Sequence, residues 1–166
     1  MTNEPSTPEW VRKHNERKAE EVRIEAATAE QRRVAAATVQ ADGPDFWKRF
    51  VDRTIVNVRA LPNLKGEDLI GSVSPSTGGT ENTCHIQVNR SSVRYGPELS
   101  MMNLWYSPGG NQIRCWYQDQ PMPNFVLGVG GDEVLAAVGD DDYTAEQLAD
   151  YIIEWMAARV KVRQSA

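Results

Sequence analysis

Between Leu99 and Gln118, LSMMNLWYSPGGNQIRCWYQ, apolar and polar side chains alternate on both sides of the turn-forming Ser107-Pro108-Gly109-Gly110-Asn111. A period of two marks a half-buried strand, and a slip of one residue moves every side chain to the other face. With Gly109 and Gly110 at the centre of a tight primed turn, Tyr106 faces Ile113, Leu104 faces Cys115 and Met102 faces Tyr117, an apolar set throughout. The same register places Trp105 opposite Arg114 and Asn103 opposite Trp116, flanked by Met101 and Gln118. The second face is therefore polar and aromatic at once. A type II turn centred on Pro108-Gly109 goes with the shifted pairing, which mixes the two sets, so the first arrangement is preferred.

The neighbouring stretches repeat this alternation. Leu69 to Val73 predicts a short first strand, and Ser74 to Asn82 a loop rich in Ser, Thr and Gly. Cys84, Ile86 and Val88 alternate with Thr83, His85, Gln87 and Asn89 in a half-buried strand. Val93 and Tyr95 extend or follow it before Gly96-Pro97. Asn124 to Gly130, with Phe125, Leu127 and Val129 on one face, pairs with Glu133 to Val138 across Gly130-Gly131-Asp132. Such short connections predict four to six strands, mostly antiparallel neighbours.

Helical periods occupy both ends of the chain. Ser6 and Glu9 form a capping box with Pro8 in the first turn, and no Gly or Pro interrupts Glu9 to Gln40. Its apolar residues, Trp10, Val22, Ile24, Val34 and Val39, form no continuous stripe. Some 30 such residues would reach on the order of 45 Å, more than the remaining chain needs for cover, so a projecting arm is expected. Asp42-Gly43-Pro44-Asp45 is expected to end that arm. Phe46, Trp47, Phe50, Val51, Thr54, Ile55 and Val58 then form the inward face of a second helix, closed by Leu61-Pro62-Asn63. Thr144 and Gln147 make another capping box, behind which Leu148, Tyr151, Ile152, Trp155, Met156 and Val160 line a last helix; its late Arg159, Lys161 and Arg163 suit the helix dipole.

The expected fold is α+β. A polar helical arm, 1–42, precedes a single domain, 43–166, of helix, antiparallel sheet and helix in two layers, with both core helices on one sheet face. Composition agrees with a globular domain: 166 residues, 40% hydrophobic and 25% charged. The first residues, MTNEPSTP, carry neither the basic nor the apolar segment of an export signal, and no apolar run approaches a membrane span. A soluble, cytoplasmic protein is expected. The net charge is −5, with the acidic excess between Pro62 and Tyr143, and acids interleave with the basic pairs of the arm. Neither nucleic acid nor an anionic membrane suits that distribution.

Chemistry-bearing residues are few. Cys84 and Cys115 fall on inward strand positions and read as buried thiols. His85, the only histidine of the domain, points away from its neighbour Cys84, which breaks a Cys-His dyad. Asp140, Asp141 and Asp142 could offer oxygen ligands to a cation, yet they precede a helix start, which accounts for them. Gly128-Val129-Gly130-Gly131 lacks the following helix that a phosphate loop needs. No catalytic residue, cofactor or metal is assigned, and His85, Asp119 and Asp142 are the only candidates an enzyme would have. The expected function is a noncatalytic module that binds a protein partner or a second copy of itself. Its candidate contact residues are Asn103, Trp105, Arg114 and Trp116 on the sheet, where Trp105 and Arg114 can stack, and Trp10 and Val22 on the arm. The alternative is a small-molecule site between sheet and helices, lined by Phe50, Tyr106, Tyr117 and Trp155.

Overall fold

Helix α1 runs unbroken over Glu9–Ala60 in the computed structural model, which describes residues 5–77, 80–91 and 99–162, with side chains to 160. Val93, Tyr95, the Gly96-Pro97 break and Arg163 lie outside the described residues, as does the side chain of Lys161. The expected helix stop at Gly43-Pro44 is corrected, because both residues sit inside α1. Proline at this position lacks one backbone donor and crowds the preceding turn, a cost of roughly 3 kcal/mol. Packing on both sides offsets it: Val39 before the proline and Phe46, Trp47 and Phe50 after it are buried. Gly43 is buried as well, under Tyr106, whose hydroxyl occupies the space a Cβ would take. The glycine marks a close contact rather than a helix end.

The chain forms two compact units, Met1–Ala36 and Ala37–Ala166. Within the first, the α1 residues are exposed nearly all round, and ion pairs such as Arg12–Glu16 and Lys13–Glu9 link successive turns. Exposed pairs of this kind contribute little each. They suit a helix with no apolar stripe of its own.

The second unit holds the rest of α1, a 3-10 turn at Leu61–Asn63, and seven strands. These are β1 (Leu69–Ser76), β2 (Asn82–Arg90), β3 (Leu99–Tyr106), β4 (Gln112–Tyr117), β5 (Gln120–Gly130), β6 (Glu133–Val138) and β7 (Asp141–Tyr143), followed by helix α2 (Ala145–Val162). The sheet is an antiparallel meander in which sequence order equals spatial order. Among the described residues seven strands replace the expected four to six. The additional one, β7, uses the acidic run read as a helix start, pairing Asp141 with Val138 and Tyr143 with Ala136. Strand β5 also begins four residues earlier than its alternation suggests, across a turn in which Gln118 and Asp119 both take positive φ (50° and 60°).

The β3–β4 register is the preferred one: Met102–Tyr117, Asn103–Trp116, Leu104–Cys115, Trp105–Arg114 and Tyr106–Ile113. The turn differs from expectation. Gly110 N–H donates to the Ser107 carbonyl at 2.8 Å and Gly109 has φ +86°, the type II arrangement centred on Pro108-Gly109. Six residues separate the paired Tyr106 and Ile113, so this turn sits at the tip of a longer loop and does not dictate the pairing.

Alternate residues Cys84, Ile86, Val88, Met102, Leu104, Tyr106, Ile113, Cys115, Phe125 and Leu127 supply the buried face. Trp47 of α1 stacks on Tyr106 (5.6 Å) and Trp155 of α2 meets Tyr117 edge-on (4.7 Å), so both helices pack on that face. Each fully buried large side chain contributes roughly 1.5–3 kcal/mol. The capping box is formed in both directions, with Gln147 N–H donating to Thr144 Oγ1 and Thr144 N–H to Gln147 Oε1.

Polar contacts join the two helices. Arg53 Nε donates to Asp150 Oδ1 at 2.9 Å and Asn57 Nδ2 to the same oxygen at 2.8 Å. The Arg53 hydrogen bond holds the Asp150 carboxyl below its ordinary value, against partial desolvation and with help from Asn57. A depressed folded-state pKa adds stability above the unfolded value of 3.8, lost as pH falls through the lower folded one. Asp150→Asn is therefore expected to unfold at lower urea than the wild type at neutral pH, with the difference closing in acid below that value. A gap independent of pH would assign the loss to packing instead.

Candidate functional site

The sheet face opposite the helices is built from three cross-strand rows. Ser76, Thr83, Trp105 and Arg114 form one; Ser74, His85, Asn103 and Trp116 the second; Ser72, Gln87 and Met101 the third. Trp105 and Trp116 are diagonal neighbours across β3 and β4, a separation that long aromatic side chains can span. Their rings meet edge-to-face, 6.2 Å apart at 82°. Trp116 keeps 39% of its surface exposed and Trp105 is half-buried.

The expected Trp105–Arg114 stack is not the contact formed. The Arg114 guanidinium pairs with Glu81, just before β2, while Trp105 packs on Trp116. An ion pair and an edge-to-face contact satisfy both groups better than one exposed cation–π contact of roughly 0.5–1 kcal/mol. A cation–π pair lies elsewhere in the second unit, with the Arg159 guanidinium 3.1 Å from the Trp155 ring centre. Beside Trp105 the β3–β4 loop leaves a shallow hollow of about 210 Å³, bounded by Ser107, Gly110, Asn111, Gln112 and Arg114.

His85 lies at the centre of the middle row and is half-buried. Its Nδ1 bonds to Asn103 Oδ1, and its Nε2 lies 2.9 Å from the Gln87 amide nitrogen. Both ring nitrogens are thus engaged by side-chain amides. Asn103 is thus tied to His85 as well as opposite Trp116, and the face is stiffened by side-chain bonds across strands.

The other candidates are dispersed. Trp10 and Val22 belong to the first unit, where they are 73% and 64% exposed. His85, Asp119 and Asp142 sit on β2, the β4–β5 turn and β7. Strands β2 and β7 are five spacings apart, about 24 Å. Cys84 and Cys115 are free, buried thiols, and burial pushes both up to about 12. Among the described residues no three His, Cys, Asp or Glu side chains gather as metal ligands.

Of the four residues expected to line a ligand pocket, two lie in the packed core. Phe50 and Tyr106 are fully buried, each packed against Trp47. Trp155 borders an apolar cleft of about 110 Å³ between α2 and strands β4 and β5. Met122 and Pro123 on its rim escaped the sequence reading, and Tyr151, expected in the inward stripe of the last helix, is instead exposed there. The signal was present in Gln120-Pro121-Met122-Pro123, since prolines two apart within a strand imply an interrupted ladder. Among the described residues no helix is long and apolar enough to cross a membrane. In comparisons with known proteins, the chain matches no protein family, no curated protein and no solved structure.

Proposed function

We propose that the protein is a noncatalytic interaction module that assembles through the face of its sheet opposite the helices. The observation that carries this reading is Trp116, exposed by 39% and braced by Trp105 on a face from which both packed helices are absent. Tryptophan on a rigid support is the residue type that concentrates binding energy at interfaces. The surroundings fit such a role: Arg114 is neutralised by Glu81, and the hydroxyls and amides of the rows leave a face of low charge around the aromatic pair. The charged α1 residues of the first unit, with Trp10 and Val22, are the second contact element of the reading.

A second copy of the chain is the partner tested first. Sedimentation velocity of the full chain over a concentration series should show a dimer or larger species. Trp116→Ala with Trp105→Ala should weaken that association by about 30-fold or more, the effect of removing about 2 kcal/mol at an anchor. A chain that stays monomeric throughout, or an assembly indifferent to both substitutions, would exclude self-assembly through this face.

A further inference from the structure

A different observation concerns the apolar cleft. In the β4–β5 ladder Ile113 pairs with Phe125 and Cys115 with Met122, so one residue of β4 faces two of β5 between these pairs. Arg114 thus faces both Pro123 and Asn124, one residue more than a regular ladder holds, and a proline offers it no donor. The bulge interrupts the sheet at the place where the cleft opens. Its floor is buried and apolar, formed by Met102, Cys115, Phe125 and Ile152, and its rim is Met122, Pro123, Val138, Tyr151 and Trp155.

Two rim aromatics are fixed by further contacts. Tyr151 stacks on Tyr143 of β7 at 5.0 Å, and Trp155 is held by Tyr117 and by the Arg159 guanidinium. The walls are therefore aromatic rings, thioethers and aliphatic groups, with no charged side chain among the lining residues. Size bounds the occupant: an apolar cavity of about 150 Å³ holds benzene, so this open cleft of about 110 Å³ takes at most one ring, part of it in the mouth.

We infer that the cleft beneath the β4–β5 bulge is a binding site for an uncharged ligand with a single aromatic ring. Aromatic rings and methionine sulfur favour an aromatic occupant, and the lack of a charged wall disfavours an ionised one. This site does not depend on the assembly reading, since it lies on the helix side of the sheet.

The test is a fluorine NMR titration of the full chain with 4-fluorotoluene, beside 4-fluorobenzoate as the charged analogue. Saturable binding of the toluene, at least tenfold tighter than the benzoate, is expected. Val138→Phe, which fills the cleft from its rim, should abolish it. Should that variant not fold, Met122→Ala widens the rim and should turn the preference towards a two-ring probe, 2-fluoronaphthalene. Absence of saturable binding, equal affinity for the benzoate, or binding unchanged by the folded Val138→Phe would each overturn the proposal. So would an unaltered one-ring preference in Met122→Ala.

Discussion

Gly71→Ala is expected to destabilise the protein by about 3 kcal/mol, the upper end for an added methyl in a packed site. Gly71 lies within β1 opposite Val88, and its backbone has no need of glycine's freedom, because its φ is not positive. Space is the constraint. A Cβ there would sit 2.6 Å from the Gln87 backbone oxygen, 3.0 Å from Leu61 Cδ1 and 3.1 Å from Val58 Cγ1. The two aliphatic groups can shift, but the carbonyl belongs to the β1–β2 ladder and cannot turn away without weakening it. Trimming Leu61 to Ala in the same chain should consequently fail to rescue stability. Equilibrium urea unfolding of the single and double variants measures both effects. A Gly71→Ala midpoint equal to that of the wild type would show that β1 has room to move off the end of α1.

The second large effect is a change of sign. Gly43→Ala places a methyl against the Tyr106 hydroxyl and should cost about 1–3 kcal/mol from overpacking, only partly offset by the roughly 1 kcal/mol that alanine gains over glycine in a helix. Beyond the hydroxyl, the next atom is Tyr106 Cζ at 3.4 Å, ordinary contact distance. In a Tyr106→Phe background the same Gly43→Ala change should therefore stabilise, by up to about 1 kcal/mol. Tyr106→Phe alone should not destabilise. Among the described residues the buried hydroxyl finds no hydrogen-bond partner, and an orphaned buried polar group costs about 1–3 kcal/mol. Burial raises the phenol's pKa, with the Gly109 backbone pulling the other way without reaching bonding geometry, so the group remains protonated. A double-mutant cycle with additive effects would remove the hydroxyl as the obstacle.

These two glycines show what the sequence could and could not disclose. Alternation revealed the buried and open faces of β2, β3 and β4 residue by residue, because one buried face forces a period of two. The same logic found the Trp105–Trp116 face without its true contact, since Arg114 is drawn to Glu81 and nothing local to Arg114 announces that partner. Gly43-Pro44 has every local sign of a helix end, yet its neighbours Val39 and Phe46 are both buried, and tertiary packing overrode propensity. Strand β7 was hidden because three aspartates argue against a strand until β6 is there to pair with. The start of β5 was hidden by Gln118-Asp119, a hairpin turn without the usual Asn-Gly or Asp-Gly. The cleft depends on a bulge between strands, and a bulge exists only in the pairing.

The meander also bears on how the chain reaches its fold. Every strand pairs with its sequence neighbours, so the sheet grows by closing short loops, each at small entropic cost. The contacts that span the sequence are those between the two helices, such as Arg53 with Asp150, separated by 97 residues. Local hairpins form quickly, whereas distant partners meet slowly. Docking of α1 and α2 on the sheet therefore closes the widest separations of the fold, at a larger entropic cost than any hairpin.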